Sequence, residues 1–131
     1  MDIPVYISTS KELNGIRCVK AARDIKAGEL IEECPVILLS YAELEHTDKT
    51  IITNYNYDWD DKNDALVLGY CGLTNHSFTA NARYESDFKK KCMLYFAVKD
   101  IKKDEEVFIN YNGKPEDTTP LEYSYHTNYK Y

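Results

Sequence analysis

Short apolar runs set the hydrophobic pattern of this chain, and helical spacing is rare. Apolar or alternating runs occupy residues 3–8, 15–22, 29–40, 65–72, 89–100 and 105–111. Turn residues such as Asn14-Gly15 precede or follow several of them, as is typical of strands. The pattern therefore predicts a mostly β domain of many short strands with little helix.

Three local features refine this pattern. Ser40 stands three residues before Glu43, which is the spacing of a capping box, so a short helix is expected to start at Tyr41. Pro35 interrupts the longest extended run and predicts an edge position or a β-bulge there. Residues 65–72 are apolar throughout and fit either a buried strand or a short helical turn.

One internal echo is present. Residues 22–31 (ARDIKAGELI) resemble residues 98–107 (VKDIKKDEEV). Each copy is expected to form a strand, a turn and a second strand, with Ile25 and Ile101 in the core and the charges in solvent. A single short echo does not make a repeat protein, and two similar β-turns explain it adequately.

The length and the net charge of the chain limit the classes of protein to which it can belong. A chain of 131 residues favours one domain with one core. The 16 basic and 22 acidic residues give a net charge of −6, which disfavours direct binding to nucleic acid. An acidic surface suits a basic partner such as a lysine-rich peptide, although solubility alone also explains the charge.

The cysteines bear on metal binding, and the first residues of the chain bear on the cellular compartment of the protein. The chain has four cysteines, which form no C-x-x-C pair and have no histidine at zinc-ligand spacing, so no metal is expected. Buried free thiols are expected instead at these positions, Cys18, Cys34, Cys71 and Cys92. No signal peptide and no run of membrane-spanning length is visible. These observations predict a cytoplasmic protein without membrane contact, or a nuclear or host-cell location for a viral or secreted effector.

The stretch "LTNHSFTANARY" (73–84) concentrates hydrogen-bonding side chains after an apolar run. A Ser-His-Asp triad is excluded because neighbours such as His76 and Ser77 point to opposite faces of a strand. Metal binding is disfavoured because no histidine has a ligand-spaced partner. Two interpretations are left: a turn in which Asn75, His76 and Asn81 bind a polar ligand, or an Asx-type turn that satisfies its own backbone.

Three ordered motifs carry a family resemblance. The segment "NHSFTANARY" resembles the N-H-S-x-x-P-N element of SET-domain protein lysine methyltransferases. "GIRCVKAARDIKAGELIEE" resembles the N-terminal segment of that family, and "AVKDIKKDEEVFINYNG" resembles its closing strand pair. The resemblance covers roughly residues 15–113, and three motifs in the right order are far more specific than one.

The resemblance implies a fold and an activity. The fold would be a compact, mostly β SET domain over residues 1–113, in which the C-terminal segment threads under a loop as a pseudoknot. Residues 114–131 would form an aromatic tail. The activity would be transfer of methyl from S-adenosylmethionine to a lysine side chain of a basic, histone-like protein, giving S-adenosylhomocysteine. A homodimer that buries exposed edges is a further expectation.

The resemblance also assigns roles to residues. Asn75 and His76 would bind the cofactor, and Asn81 would stabilise the threaded loop. Tyr111 would stand beside the methyl group as the catalytic residue. Further cofactor contacts would come from Gly15, Ile16, Arg17 and Cys18, and the substrate channel would be lined by Tyr70, Tyr84 and Tyr111.

The chemistry suits these residue types. A lysine amine must be neutral to attack, yet its free pKa is about 10.4. An apolar, aromatic-walled channel lowers that pKa by desolvation, and the nearby sulfonium lowers it by repulsion. Aromatic faces also suit methylammonium groups, and a tyrosine hydroxyl such as that of Tyr111 can orient the amine.

Several departures from the family pattern are visible. Ile16 and Cys18 occupy the positions of the G-x-G pair, with Gly15 one place off, and Ala80 replaces a proline. No arginine or histidine stands ahead of N-H-S, where Gly72 lies, and no cysteine-rich segment flanks the domain. The altered glycines leave an alternative open: a degenerate SET-like module that binds peptide without catalysis. A small β-domain whose N-H-S is only a turn is a third, weaker option.

The missing cysteine-rich segment leaves the lid of the channel to another part of the chain. The tail tyrosines are one candidate, and a disordered tail is the other interpretation. These tyrosines are Tyr123, Tyr125, Tyr129 and Tyr131.

Overall fold

The fold is built from short strands, as the hydrophobic pattern predicts. The computed structural model describes residues 2–11 and 14–121. The strands are β1 (Val5–Thr9), β2 (Arg17–Ala21), β3 (Leu30–Ser40), β4 (Asn56–Asp58), β5 (Asn63–Val67), β6 (Asn75–His76), β7 (Ala82–Asp87), β8 (Cys92–Ala97) and β9 (Phe108–Ile109). The helical elements are α1 (Tyr41–Thr47) and the 3₁₀ helices Ile51–Asn54 and Tyr70–Leu73. The mostly β prediction is confirmed.

The strands form three small sheets. β1 and β2 pair antiparallel, and the largest sheet is antiparallel throughout with the order β4-β5-β3-β8-β7. β3 is central because its first half pairs with β8 and its second half with β5. The third sheet is the parallel pair of β6 and β9. Among the described residues, no helix is long and apolar enough to cross a membrane.

Pro35 marks the point where β3 changes partners. The prediction of an edge position is wrong, because β3 is the middle strand, and the register irregularity falls between Leu30 and Glu32 instead. Pro35 pairs with Cys92 on one side, and its carbonyl accepts from the Leu68 N–H at 2.9 Å on the other. A residue without an N–H fits this changeover, where the hydrogen bonds pass from β8 to β5.

Local sequence signals at the helices are confirmed. Ser40 Oγ accepts from the Glu43 N–H at 3.3 Å, and the Glu43 carboxylate accepts from the Ser40 N–H at 2.8 Å, which completes the capping box of α1. The apolar run 65–72 combines both of its predicted forms. It continues β5 to Val67 and then turns into the second 3₁₀ helix.

The internal echo forms two turns that pair with each other. Ile25 and Ile101 exchange both backbone hydrogen bonds, at 2.7 and 2.8 Å, and each side chain is 1% exposed. The symmetry extends to the carboxylates. Asp100 accepts from the Ala27 N–H and Asp24 accepts from the Lys103 N–H, both at 2.9 Å. Each copy therefore satisfies the turn of the other, which a comparison of sequences alone does not reveal.

The C-terminal segment is held between two earlier parts of the chain. β9 pairs in parallel with β6, which lies about thirty residues earlier in the sequence. A parallel pair needs a crossover connection, so the intervening chain must pass from one strand to the start of the other. On its other side, Asn81 Nδ2 donates to the Glu106 carbonyl at 2.9 Å, and Asn81 Oδ1 accepts from the Phe108 N–H at 2.8 Å. Asn81 thus holds the segment that runs into β9, as expected for the threaded loop, and Asn75 and His76 are placed beside it.

Candidate functional site

One cavity of about 540 Å³ opens where β6, β4, the start of β2 and the segment after β9 meet. The structure brings five of the predicted site residues to its wall: Ile16, Arg17, Asn75, Tyr84 and Tyr111. The other lining residues are Asn54, Tyr55, Asn56, Tyr57, Asp58, Gly72, Leu73, Thr74, Asn112 and Gly113. Residues from both ends of the described chain therefore share one concave surface, which is typical of a ligand site.

Tyr111 is fixed at both its backbone and its side chain. Its hydroxyl donates to the Thr74 carbonyl at 2.8 Å, and its backbone N–H donates to His76 Nδ1 at 3.0 Å. The hydroxyl proton is therefore held by the Thr74 carbonyl, and a phenol oxygen can accept as well as donate. The arrangement suits recognition of an amine or ammonium group.

His76 supports the site from behind the cavity wall. Its side chain is 6% exposed, and burial lowers its pKa to about 4. The imidazole is therefore neutral at physiological pH, which lets Nδ1 accept from the backbone of Tyr111. The ring also packs against Phe78 and Tyr111, with centroids 4.5 and 5.2 Å apart. His76 is not among the described residues that line the cavity.

The Asn75 amide joins three segments of the chain. Asn75 Nδ2 donates to the Arg17 carbonyl and to the Glu106 carboxylate, each at 3.0 Å. Asn75 itself is 3% exposed and lies in the cavity wall. The contact with Arg17 ties β6 to the start of β2, the segment that departs from the family's glycine pattern.

Tyrosines form an aromatic part of the cavity wall. Tyr57 packs edge-on against Tyr84 with ring centroids 5.2 Å apart, and the buried Tyr95 lies behind both rings at 6.5 and 6.1 Å. Burial raises the pKa of Tyr57 far above its ordinary value, so this phenol stays neutral. Gly113 approaches the Tyr84 hydroxyl closely, since a Cβ added there would lie 3.9 Å from that oxygen.

Arg17 and Tyr55 both line the cavity and contact each other. The Arg17 guanidinium lies 5.8 Å from the Tyr55 ring centroid, and Nη2 donates to the Tyr55 hydroxyl at 3.3 Å. A cation over a tyrosine face is a favourable arrangement. The contact places a positive charge at the wall next to Asn75.

Sequence reasoning missed Tyr55 and Tyr57. The signal that could have found them is the alternation in "NYNYDW" (54–59), which places the two tyrosines on the same face of an extended segment. This segment lies outside the three family motifs, so the resemblance did not direct attention to it.

Some predicted residues do not line the cavity. Cys18 is fully buried in the core, and burial raises its thiol pKa to about 11. Gly15 occupies a turn with φ of +77°, and Tyr70 lies in the second 3₁₀ helix with 44% of its surface exposed. Their proposed binding roles stay predictions. The predicted lid tyrosines Tyr123 and Tyr125 lie outside the described residues.

Buried Glu32 positions the turn that leads into the site. Its carboxylate accepts from the Cys71 N–H at 2.8 Å and from the Tyr70 N–H at 3.3 Å, so it fixes the N-terminal end of the second 3₁₀ helix. Gly72 in this helix has no space for a side chain, because an added Cβ would lie 2.9 Å from the Val67 carbonyl oxygen. A larger residue at this position would therefore require a shift of the backbone.

The site chemistry is that of hydrogen bonds and aromatic surfaces. Within residues 2–11 and 14–121, no group of three His, Cys, Asp or Glu side chains is arranged to hold a metal ion. Three of the four cysteines are buried free thiols, as expected, and Cys92 is half-buried. Asn75 belongs to a polar part of the cavity lining, the polar wall, and Tyr57, Tyr84 and Tyr111 belong to an aromatic part, the aromatic wall.

Comparison with known families decides how this site should be interpreted. The family described as "SET domain" matches residues 16–112, which include the three motifs except their end residues Gly15 and Gly113. The chain belongs to the SET-domain family. The two walls of the cavity are therefore the walls of a SET-domain site.

Individual relatives agree with this assignment. A Schizosaccharomyces pombe histone-lysine N-methyltransferase, specific for lysine 37 of histone H3, is 32% identical over 96 residues, which is 72% of this chain. The chain spans 65% of the length of that relative. A candidate histone methyltransferase of Plasmodium falciparum is 30% identical, with a TM-score of 0.70 over 85% of this chain and 95% of that chain.

A more distant structure shows the same fold. Polycomb Repressive Complex 2 of Chaetomium thermophilum, solved in an autoinhibited conformation bound to S-adenosylmethionine, matches 85% of this chain with a TM-score of 0.70. The match covers 15% of that chain at 22% identity, so it supports the fold and nothing finer.

Proposed function

We propose that this protein is a protein-lysine N-methyltransferase that uses S-adenosylmethionine. The observation that carries the proposal is a cavity whose lining includes Asn75, Tyr84 and Tyr111. SET-domain methyltransferases use this cofactor, and the relatives named above are described as histone methyltransferases. The polar wall would bind the cofactor, and the aromatic wall would receive the lysine.

The polar wall fits the amino-acid part of the cofactor. Asn75 offers an amide oxygen to an ammonium group, and the Arg17 guanidinium offers donors to a carboxylate. The cavity of about 540 Å³ lies in the range of small-molecule sites. When bound, the cofactor supplies an electrophilic methyl group on a sulfonium.

The aromatic wall fits the lysine side chain. Tyr57, Tyr84 and Tyr111 surround the aliphatic stem with ring faces and lower the pKa of the amine by excluding water. The Tyr111 phenol oxygen, whose proton is held by the Thr74 carbonyl, accepts from the amine and aims its lone pair at the methyl group. The bound cofactor would supply the methyl group, and the alignment of the amine by these tyrosines would supply much of the rate.

The substrate class follows from charge. The chain carries a net charge of −6, and Asp58 lies at the cavity wall, so a lysine within a basic, histone-like segment is favoured over one in an acidic segment. Homodimer formation and a cytoplasmic or nuclear location stay predictions.

A module without catalysis is the weaker alternative. The altered G-x-G segment motivated it, but that segment still contributes Ile16 and Arg17 to the cavity wall. Tyr111 also keeps the contacts that orient its hydroxyl.

The proposal is tested by incubating the protein with labelled S-adenosylmethionine and a panel of basic proteins, followed by mass mapping of modified lysines. Label on a lysine, dependent on the protein, is the expected result. Binding of the cofactor without label on any protein of the panel would favour the module without catalysis, and absence of both would contradict the proposal.

A further inference from the structure

A buried carboxylate holds the start of the turn that leads into the cavity. Glu32 is 7% exposed, and no ion pair within residues 2–11 and 14–121 supplies it with a cation. It accepts instead from the N–H groups of Tyr70 and Cys71. The carboxylate is closely packed, since a Cβ added at Gly69 would lie 2.9 Å from Glu32 Oε2 and 2.5 Å from Cys34 Sγ. A buried charge without a cation is costly, so a role beyond packing is indicated.

Hydrogen bonds connect this turn with the hydroxyl of Tyr111. The Cys71 carbonyl accepts from Thr74 Oγ1 at 2.7 Å and from the Thr74 N–H at 3.2 Å. The Thr74 carbonyl accepts in its turn from the Tyr111 hydroxyl at 2.8 Å. Cys71 and Thr74 are 0% and 2% exposed, so these contacts lie in the protein interior, where hydrogen bonds are strong. A continuous series of hydrogen bonds therefore runs from Glu32 to Tyr111.

We propose that Glu32 is a positioning residue for methyl transfer, which fixes the turn so that the Thr74 carbonyl holds the Tyr111 hydroxyl in its working orientation. This inference rests on the proposed function, because it assumes that this hydroxyl orients the lysine amine. Glu32 is not among the described residues that line the cavity, so it acts through the turn. A carboxylate suits this task, because both of its oxygens accept and its hydrogen bonds are stronger than those of a neutral acceptor.

The test is a double-mutant cycle that combines Glu32→Gln with Tyr111→Phe and measures label transfer in each variant. The N–H groups of Tyr70 and Cys71 donate to different oxygens of the Glu32 carboxylate. In Glu32→Gln one of these oxygens becomes an amide nitrogen, which cannot accept, so one of the two N–H groups loses its partner. The turn would then be held less firmly, while the cavity lining keeps its side chains.

The matched control is Glu33→Gln. Glu33 is the next residue on β3, and its carboxylate forms an ion pair with the exposed Lys90 at 3.8 Å. Methyl transfer by this variant should stay within about twofold of the wild type, because an exposed ion pair contributes little.

We expect Glu32→Gln to reduce methyl transfer about tenfold when Tyr111 is intact, which is the scale of one hydrogen bond to a charged group. In the Tyr111→Phe background the loss should be less than about twofold, because the hydroxyl to be positioned is absent. The affinity of Glu32→Gln for S-adenosylhomocysteine should stay within about twofold of the wild type. Equal losses in the two backgrounds would overturn the inference, since they would indicate a general structural role. Unchanged methyl transfer by Glu32→Gln would overturn it too.

A spectroscopic measurement separates this inference from the proposed function. In NMR spectra of protein with tyrosine labelled at Cζ, the ring carbon that bears the hydroxyl, the Tyr111 resonance is the one lost in Tyr111→Phe. It should shift in Glu32→Gln and keep its position in Glu33→Gln. An unshifted Tyr111 resonance in Glu32→Gln would overturn the inference. A wild-type protein that neither binds S-adenosylhomocysteine nor transfers methyl would instead contradict the proposed function.

A second variant covers the case in which Glu32→Gln fails to fold. Thr74→Val keeps the shape of the side chain and removes the contact of Oγ1 with the Cys71 carbonyl. It is expected to cause a smaller loss of methyl transfer, with the same dependence on the Tyr111 hydroxyl. Unchanged methyl transfer, or equal losses with and without that hydroxyl, would then overturn the inference.

Discussion

The two walls of the cavity are held together by different forces. The polar wall depends on directional hydrogen bonds between distant segments: Asn75 to Arg17 and Glu106, and Tyr111 to His76. The aromatic wall depends on edge-on ring packing, as between Tyr57 and Tyr84. A directional contact fixes an atom and fails when that atom is removed, whereas ring packing fixes a surface and tolerates small changes.

This difference predicts different consequences of substitution. Changes in the polar wall should alter cofactor affinity, and changes in the aromatic wall should alter use of the lysine substrate. Tyr111 belongs to both walls, because its ring lines the cavity together with Tyr57 and Tyr84 while its backbone and hydroxyl are bound to His76 and Thr74. The largest effect is therefore expected at this residue.

Replacing Tyr111 with Phe should reduce methyl transfer about a hundredfold or more, because the hydroxyl that orients the amine is lost. The melting temperature should fall by only a few degrees, since the ring and the backbone contact to His76 are kept and only the hydrogen bond to the Thr74 carbonyl is lost. Label transfer and thermal unfolding measure the two effects. Tyr41→Phe is the control, because the Asp60 carbonyl is the one partner of the exposed Tyr41 hydroxyl among the described residues. Full activity of Tyr111→Phe would show that this hydroxyl has no catalytic role.

Replacing Asn81 with Ala should destabilise the fold by roughly 2–4 kcal/mol, because two backbone groups of the segment before β9 lose their partner. Denaturant unfolding measures this loss. The control is Asn63→Ala, because within the described part of the chain the Asn63 side chain donates to the exposed Asp60 alone. Equal stabilities of the two variants would mean that the Asn81 contacts do not hold the C-terminal segment in place.

Replacing Tyr57 with Ala should raise the KM for the lysine substrate about tenfold, because one face of the aromatic wall is removed. Affinity for S-adenosylhomocysteine should stay within about twofold of the wild type, since the polar wall is untouched. Steady-state kinetics and calorimetry separate the two. If Tyr57→Ala weakened the affinity for S-adenosylhomocysteine by a larger factor than it raised the KM for the lysine substrate, the two walls would not have separate roles.

The smallest effect is expected from pH. Burial lowers the pKa of His76 to about 4, below the ordinary value of 6.5, so the unfolded state binds more protons than the folded state between these values. The contribution of His76 to stability is therefore complete above about pH 6.5 and is lost as pH falls towards 4.

Unfolding by denaturant at pH 7.5 and at pH 4.5 measures this change. His76→Gln should show a weaker dependence on pH over that interval, and His46→Gln, at an exposed position in α1, should behave as the wild type. An unchanged pH dependence in His76→Gln would contradict the role assigned to the buried neutral imidazole.

The sequence predicted the elements better than their assembly. Alternation and the capping box placed the strands and α1 because these depend on neighbouring residues. The position of Pro35 in a central strand was not predictable, since it depends on a change of pairing partner that is visible only in the folded chain. The mutual pairing of Ile25 and Ile101 was missed for the same reason.

The site was predictable where family motifs cover it. Asn75 and Tyr111 lie at the cavity as expected, whereas Tyr57 was missed because it lies between the motifs. The Asn75–Glu106 contact could not be foreseen, because it depends on the parallel pairing of β6 with β9. Long-range polar contacts have no local signature in a single sequence.

The most direct measurement is calorimetric titration of S-adenosylhomocysteine into the wild type, Asn75→Ala and Tyr111→Phe. If both walls belong to one methyltransferase site, the wild type and Tyr111→Phe bind the ligand one to one with similar affinity, and Asn75→Ala binds it about tenfold more weakly or worse. No binding to the wild type, or equal binding to the wild type and Asn75→Ala, would contradict this account.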